Sequence, residues 1–498
     1  MKGANLADLA LLLPELILVG MALALILAAR RIQKTPWVAA GTVLAGLAAA
    51  LASGWLLSGA PRTGFGGMIT VDGYSQFFKI LIASALALAA LLSVRLSDAE
   101  QARSAEYHAM LLLASTGMMF AVSALDLLTL YLGLELMTLC SYILVGITVE
   151  KPTSNEAAIK YFLLGSFASA LLLYGIALTY GVTGSTDFAA IAGVLATSPL
   201  GSNPILLAAI SLAVAGLAFK ISVVPFHAWT PDAYQGAPTP LAAFISVGPK
   251  IAAMALLARI LTLAFEPLAA NLSVAIAVIA SATMIIGNLA AIAQTDIKRM
   301  LGYSSIAHSG YMLVGLAAVV ESGDGFAFSG LPSVLFYGFV YAFMNFGAFA
   351  VAHVVEYQTG SNEISAFRGL ARRAAIPAMG MAIFMFSLTG IPPLSGFLGK
   401  LYILQSAVEA DLAWLAILMV ITSVVSAFYY LRVVVNMFMV EPAEADAPAA
   451  AGDSATTVVT ADTHAAVIAT TAGLTLALGI IGGGLLAWAQ SAVETGLL

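Results

Sequence analysis

The stretch LAFKISVVPFHAWTPDAYQGAPTP, residues 217–240, sets a lysine at the end of an apolar run and follows it with a polar, proline-bearing break. The rest of the chain is apolar almost throughout. Of its 498 residues 61% are hydrophobic and 9% charged, with a mean hydropathy of +1.00, whereas soluble domains carry about 25% charged residues. This is the composition of a polytopic membrane protein, and Lys220 stands where hydrocarbon is expected.

Working outward, apolar runs of about 20 residues, the length that crosses a hydrocarbon core about 30 Å thick, recur fourteen times. They lie near 9–29, 37–58, 74–95, 108–125, 127–149, 156–181, 204–234 (broken), 239–264, 271–293, 297–320, 330–354, 376–409 (broken), 412–438 and 463–488. Only Asp126 separates the fourth from the fifth. Residues 186–197 are too short to span and read as a surface helix or loop. The acidic, Ala-rich segment 439–462 reads as a solvated connector to the last helix. No cleavable signal is expected, because Arg30 and Arg31 follow the first apolar run instead of preceding it.

Orientation follows from the basic residues, which favour short cytoplasmic loops. Thirteen of the 20 Lys and Arg fall on alternate loops: Arg30, Arg31, Lys34, Arg95, Arg103, Lys151, Lys160, Lys298, Arg299, Arg368, Arg372, Arg373 and Arg432. Lys2, Arg62, Lys79 and Arg259 are read on the opposite side, so both termini are expected outside. Lys220, Lys250 and Lys400 have no loop to occupy.

A lysine at the bilayer centre costs about 2.5–3.5 kcal/mol, so three cost roughly 8–10 kcal/mol before any partner offsets it. Lysine suits proton transfer: burial favours its neutral form, a nearby carboxylate its charged form, and moving the counter-ion switches it. The bland alternative is a permanent ion pair or a snorkelling side chain. Three such lysines, with no arginine read at their depth, argue against it. Glu135 is the acid best placed as counter-ion. It lies eight residues into its helix and Lys220 sixteen into its own, a mismatch of about 12 Å if both start level.

Pro225, and Pro392 with Pro393, remove backbone donors and free carbonyls. Bare polar backbone is tolerated at membrane depth only in protein or beside a wet cavity. The two broken spans are five helices apart, and an odd-numbered repeat inserts in opposite orientation. The expectation is an inverted repeat of two five-helix units, helices 4–8 (residues 108–264) and 9–13 (271–438), preceded by helices 1–3 (1–107) and followed by helix 14 (463–498).

His227 and His308 are candidate relays near neutral pH, against the alternative of packed, hydrogen-bonded histidines. Ser222, Ser246, Asn288, Ser304, Tyr311, Tyr341 and Asn345 are candidates to hold water, although membrane helices use such residues as packing glue. The single cysteine, Cys140, lies in an apolar run. No His or acid cluster has metal-ligand spacing, and no phosphate-binding or dinucleotide motif is present, so no cofactor or metal is expected in this chain. Nothing points to nucleic acid.

Together, Glu135, the block from Lys220 through PFHAWTPDAYQGAPTP to Lys250, and GIPPLSGFLGK ending at Lys400 resemble the antiporter-like membrane subunits of respiratory complex I and of multisubunit cation/proton antiporters. Helices 4–13 carry the resemblance. Within the family the chain looks most like the N subunits of bacterial NADH-quinone oxidoreductases: fourteen helices in about 500 residues, no long lateral C-terminal helix, and lysine rather than glutamate at 400. Glutamate rather than aspartate at 135 also argues against an L subunit. The resemblance implies a proton-translocating subunit in the bacterial inner membrane. There Glu135 and Lys220 form a controlling ion pair, Lys250 connects, and Lys400 passes the proton outward. It also implies an antiporter-like neighbour and small membrane subunits as partners, with lipid, water and protons around this chain, and it leaves NADH, FMN, iron-sulfur clusters and quinone to partner subunits.

Overall fold

A computed structural model of the protein describes residues 6–29, 35–94, 103–197, 203–322, 325–327, 329–441 and 462–497. Lys2, Arg30, Arg31, Lys34, Arg95 and most of the acidic connector lie outside them.

Among the described residues the regular structure is helical apart from two short ribbons, Arg62–Gly64 with Ile69–Val71 and Val320–Ser322 with Gly325–Ala327, each antiparallel. The helices in chain order are α1 (Leu13–Ala28), α2 (Thr35–Leu57), α3 (Gly73–Leu92), α4 (Ser104–Val122), α5 (Leu127–Val145), α6 (Pro152–Thr183), α7 (Phe188–Thr197), α8 (Pro204–Ile221), α9 (Trp229–Gly236) and α10 (Thr239–Leu263). They continue as α11 (Ala269–Ile292), α12 (Ile297–Ala317), α13 (Leu331–Thr359), α14 (Leu370–Arg373), α15 (Ala375–Thr389), α16 (Ser395–Glu409), α17 (Ala413–Phe438), α18 (Asp462–Ile481) and α19 (Gly483–Gly496). Among the described residues, eleven helical segments are long and apolar enough to cross a membrane.

Helix starts follow their capping residues. Asp126, the narrow boundary between α4 and α5, accepts from Leu128 N at 2.9 Å and Thr129 N at 3.1 Å. Asn203 caps α8 ahead of Pro204, and Asp296 caps α12 through Arg299 N at 2.9 Å; each satisfies amides that a helix start leaves open. On α7, Phe188, Ile191 and Leu195 are buried on one face, so the 186–197 segment is a surface helix.

α10 and α13 form the centre, buried all round along their apolar lengths, as expected of helices that are apolar on most sides. Around them, glycines set the closest crossings. A Cβ on Gly117 of α4 would lie 2.6 Å from Met137 N of α5, and one on Gly287 of α11 would lie 2.7 Å from Ala307 N of α12. Only a missing side chain lets these backbones meet.

Both predicted breaks are present. α8 ends on Ser222, whose φ of 65° and ψ of 41° form a left-handed cap, with Val223 N bonded to Ala218 O at 3.0 Å. Trp229 then folds back, donating Nε1–H to Phe219 O at 2.9 Å while stacking on Tyr161 at 4.2 Å. α15 ends on Gly390 (φ 96°), and Pro392 and Pro393 are exposed in the gap before α16. A third break was not expected: the last apolar run is two helices, divided at Gly482.

The charges at the end opposite the basic loops need correction. Lys79 is not at a loop but fully buried on α3, paired with Glu15 of α1 at 2.7 Å. Arg259, also fully buried on α10, pairs with Asp72 and donates to Val122 O at 2.7 Å. An arginine therefore does lie inside the helical body. Both residues sit within about two turns of a helix end, which made them look like loop charges; partners on neighbouring helices draw them inward.

Candidate functional site

Lys220 is next to last on α8, and its ammonium donates to Thr138 Oγ1 of α5 at 2.8 Å and to Ser169 Oγ of α6 at 3.4 Å. Ser169 in turn donates to Glu135 Oε1. One side-chain bridge thus joins two charges that level helix starts would set about 12 Å apart. Thr138 lies three residues beyond Glu135 on α5, on the same face, and Ser169 touches both charges. No direct Glu135–Lys220 ion pair is present. Glu135 is half-buried among exposed Leu132, Leu136 and Leu139, whereas Lys220 is buried under the rings of Tyr142 and Phe219, 5.8 and 5.6 Å from its nitrogen. Cation–π attraction supplements the two hydroxyls there.

Lys250, at mid-length on α10 behind Pro249, donates to Ser305 O of α12 at 2.7 Å and contacts Ser305 Oγ. Tyr341 of α13 donates to the same hydroxyl at 2.8 Å. α12 is the common wall. Ser309, one turn beyond Ser305, donates to Ile221 O at 2.8 Å, one of the carbonyls at the α8 break, so a single helix face touches the surroundings of Lys220 and of Lys250.

On that helix His308 stands between two tyrosines, its Nδ1 2.6 Å from Tyr337 OH and its Nε2 2.9 Å from Tyr430 OH. Tyr430 also contacts Ser304 and packs on Tyr429, which donates to Asn288 Oδ1 at 3.0 Å. Asn288 then donates to Tyr311 OH at 3.0 Å. The Tyr311 ring lies 4.8 Å from the Lys400 ammonium.

Lys400 reaches from α16 back across the break and donates to Leu388 O and Thr389 O, each at 2.9 Å, and to Ser423 Oγ at 2.6 Å. These carbonyls are freed where α15 stops, and a cation at a helix C-terminus is also favoured by the helix dipole. A cavity of about 310 Å³ lies beside it, lined by Thr389, Gly390, Phe397, Met419 and Ser423 among others.

His227 falls elsewhere. It is half-buried in the α8–α9 break, and its side chain makes no hydrogen bond to Lys220, Lys250 or Lys400. Pro225 is exposed beside it. Sequence reasoning missed Thr138, Ser169, Ser305, Ser309, Tyr337, Ser423 and Tyr430. For Thr138 and Ser305 a signal was available: each lies three residues from a singled-out polar residue, Glu135 and His308.

Comparison with known proteins gives the chain its family. Residues 124–426 match the family described as "NADH:quinone oxidoreductase/Mrp antiporter, TM". NADH-quinone oxidoreductase subunit N 1 of Solibacter usitatus is 42% identical over 446 residues, 89% of this chain and 90% of that relative. Subunit N of Desulforamulus reducens is 45% identical over 390 residues, 78% and 80% of the two chains. Among solved structures, a chain of Thermus thermophilus respiratory complex I with bound aureothin matches with a TM-score of 0.78 at 32% identity, over 95% of this chain and 98% of that one. A chain of the Dietzia Mrp complex shares the fold, with a TM-score of 0.83 at 23% identity over 97% of each. The matched segment covers both helix breaks, Glu135 and all three buried lysines of the site, and the chain belongs to the NADH:quinone oxidoreductase/Mrp antiporter family of membrane subunits.

Proposed function

We propose that the chain is the N-type, proton-translocating membrane subunit of a bacterial NADH-quinone oxidoreductase. One observation carries the mechanism: the three buried lysines are held by hydroxyls and backbone carbonyls that a proton or a rotated side chain can exchange. Glu135 and Lys220 communicate through Ser169. Opening that bridge destabilises the Lys220 ammonium, Lys250 and His308 receive charge along α12, and Lys400 releases it beyond the α15 break. The chain contributes no redox step; NADH, FMN, iron-sulfur clusters and quinone belong to partner subunits, as does the drive that moves Glu135.

The finer architecture is part of this proposal. α4, α12 and the α15–α16 pair join the eleven apolar spans as further crossings, which gives fourteen. The repeat of helices 4–8 and 9–13 is supported by the tight glycine crossings that open each unit and by the break in the fourth helix of each. Arg103, Lys160, Arg299, Arg372 and Arg432 gather at one end, where Arg103 donates to Ile147 O and Arg299 to Asp232. Residues close to the first and last described ones are at the other end, Asp8 on Phe65 N and Gly496 O by Arg259. By the positive-inside rule the basic end is cytoplasmic and both termini periplasmic.

The test is proton pumping by the assembled complex in vesicles carrying Lys220→Ala, Lys250→Ala or Lys400→Ala. Each variant is expected to assemble and pump poorly. Full NADH:quinone activity and full pumping in membranes lacking this chain would refute the reading.

A further inference from the structure

Besides the groups already placed, a second set of polar residues lies on the facing sides of the two central helices. α10 presents Thr239, Ser246 and Lys250, at positions i, i+7 and i+11 of one face; α13 presents Tyr341, Asn345 and Glu356, at i, i+4 and i+15. The helices run antiparallel, so these residues meet in order. Glu356 accepts from Thr239, Asn345 Nδ2 donates to Ser246 Oγ at 2.5 Å, and Tyr341 and Lys250 share Ser305.

We infer that this α10–α13 seam is the inlet by which protons reach Lys250 from the basic end, with the Glu356 carboxylate as the charged group at its mouth and Asn345 with Ser246 as its midpoint; this rests on the proton-translocating reading above.

Three observations support the assignment. First, Glu356 is one turn from the end of α13 and a quarter exposed, so it meets solvent. The groups facing it are Lys298 of α12 at 3.9 Å, His353 of its own helix at 3.9 Å, Thr239, and Asn362, which donates at 2.8 Å. His464 of α18 stacks on His353 at 5.0 Å. Second, Asn345 is fully buried and its Oδ1 has no hydrogen-bond partner. A buried amide oxygen without a donor costs about 1–3 kcal/mol, a cost that a donor passing along the seam removes. Third, Ser246 is four residues from Lys250 on α10, about 6 Å along the axis, while three turns separate Asn345 from Glu356. Ala242, Ala243, Ala348 and Ala352 lie in that interval, with the buried Phe349 ring packed on Tyr234 beside them.

The experiment uses the intact complex in vesicles and compares Asn345→Leu, Glu356→Gln and Glu356→Asp with Lys250→Ala. Asn345→Leu is expected to lower pumping at least about tenfold. Glu356→Gln keeps the hydrogen-bonding shape but removes the negative charge that faces Lys298 and His353, and moves the alkaline limb of pumping to lower pH; Glu356→Asp restores it. If Asn345→Leu does not assemble, Ser246→Ala gives the same reading, since it removes only one oxygen. Wild-type pumping and pH profile in Asn345→Leu (or Ser246→Ala) and Glu356→Gln, with Lys250→Ala impaired, overturns the seam and leaves the proton-translocating reading intact. Wild-type pumping in Lys250→Ala as well overturns both.

Discussion

Ser169→Ala isolates the bridge between Glu135 and Lys220. It removes one oxygen from a side chain only 5% exposed, on a helix that needs no change to accept alanine. Ser169 donates a charge-assisted bond to the carboxylate, of a class that contributes about 1.5–3 kcal/mol. Its bond from Lys220 is long, 3.4 Å, and adds little. Glu135 is half-buried, so water takes over part of the lost bond and the low end of the range applies. At 1.36 kcal/mol per decade, the coupling between the two charges falls about tenfold. The assay is NADH-driven pumping by the assembled complex as a double-mutant cycle with Glu135→Gln. If the hydroxyl carries the coupling, Ser169→Ala adds nothing once Glu135 is neutral. Effects that add within about 0.5 kcal/mol would refute the bridge. Thr138→Val is the control: it removes the 2.8 Å acceptor from Lys220 but leaves Ser169 on Glu135, so its effect persists in the Glu135→Gln background.

Two more outcomes follow from the packing. In Gly390→Ala a Cβ would stand 3.1 Å from Lys400 Cδ at a φ of 96°, so pumping falls while the complex still assembles; Gly184→Ala, at a φ of 73° with nothing within 4 Å, carries similar backbone strain and leaves pumping unchanged. Glu15→Gln leaves Lys79 buried and unpaired, which destabilises by about 3–5 kcal/mol and lowers the thermal midpoint and the yield of complex; Glu15→Leu with Lys79→Met recovers most of the loss.

The breaks, the three lysines and Glu135 were legible because each violates what a hydrocarbon span tolerates. A lysine without a loop, or a proline within an apolar run, stands out against leucine and alanine. The groups that hold these charges were not legible for the opposite reason. Ser169, Ser305 and Thr138 are ordinary in membrane helices, where most hydroxyls bond their own backbone, as Thr138 also does to Leu134 O at 2.6 Å. Only the packing of α5, α6, α10 and α12 picks out the few that also reach a charge. Lys79 and Arg259 were misplaced because position along a helix fixes height, whereas the direction of a long side chain depends on its acid partner. Glu15 and Asp72 lie far away in sequence.

Arg259 bears on how the subunit is made. From the central helix it holds Asp72, at the start of α3, together with Val122 O at the end of α4 and Gly496 O at the end of α19. These contacts span 187, 137 and 237 residues. A ribosome delivers Asp72 long before Arg259, and Gly496 later still. The clasp that joins α3 and α4 to α19 therefore closes only once α19 has been made, and until α10 arrives the Asp72 carboxylate has its helix-capping bond but no guanidinium.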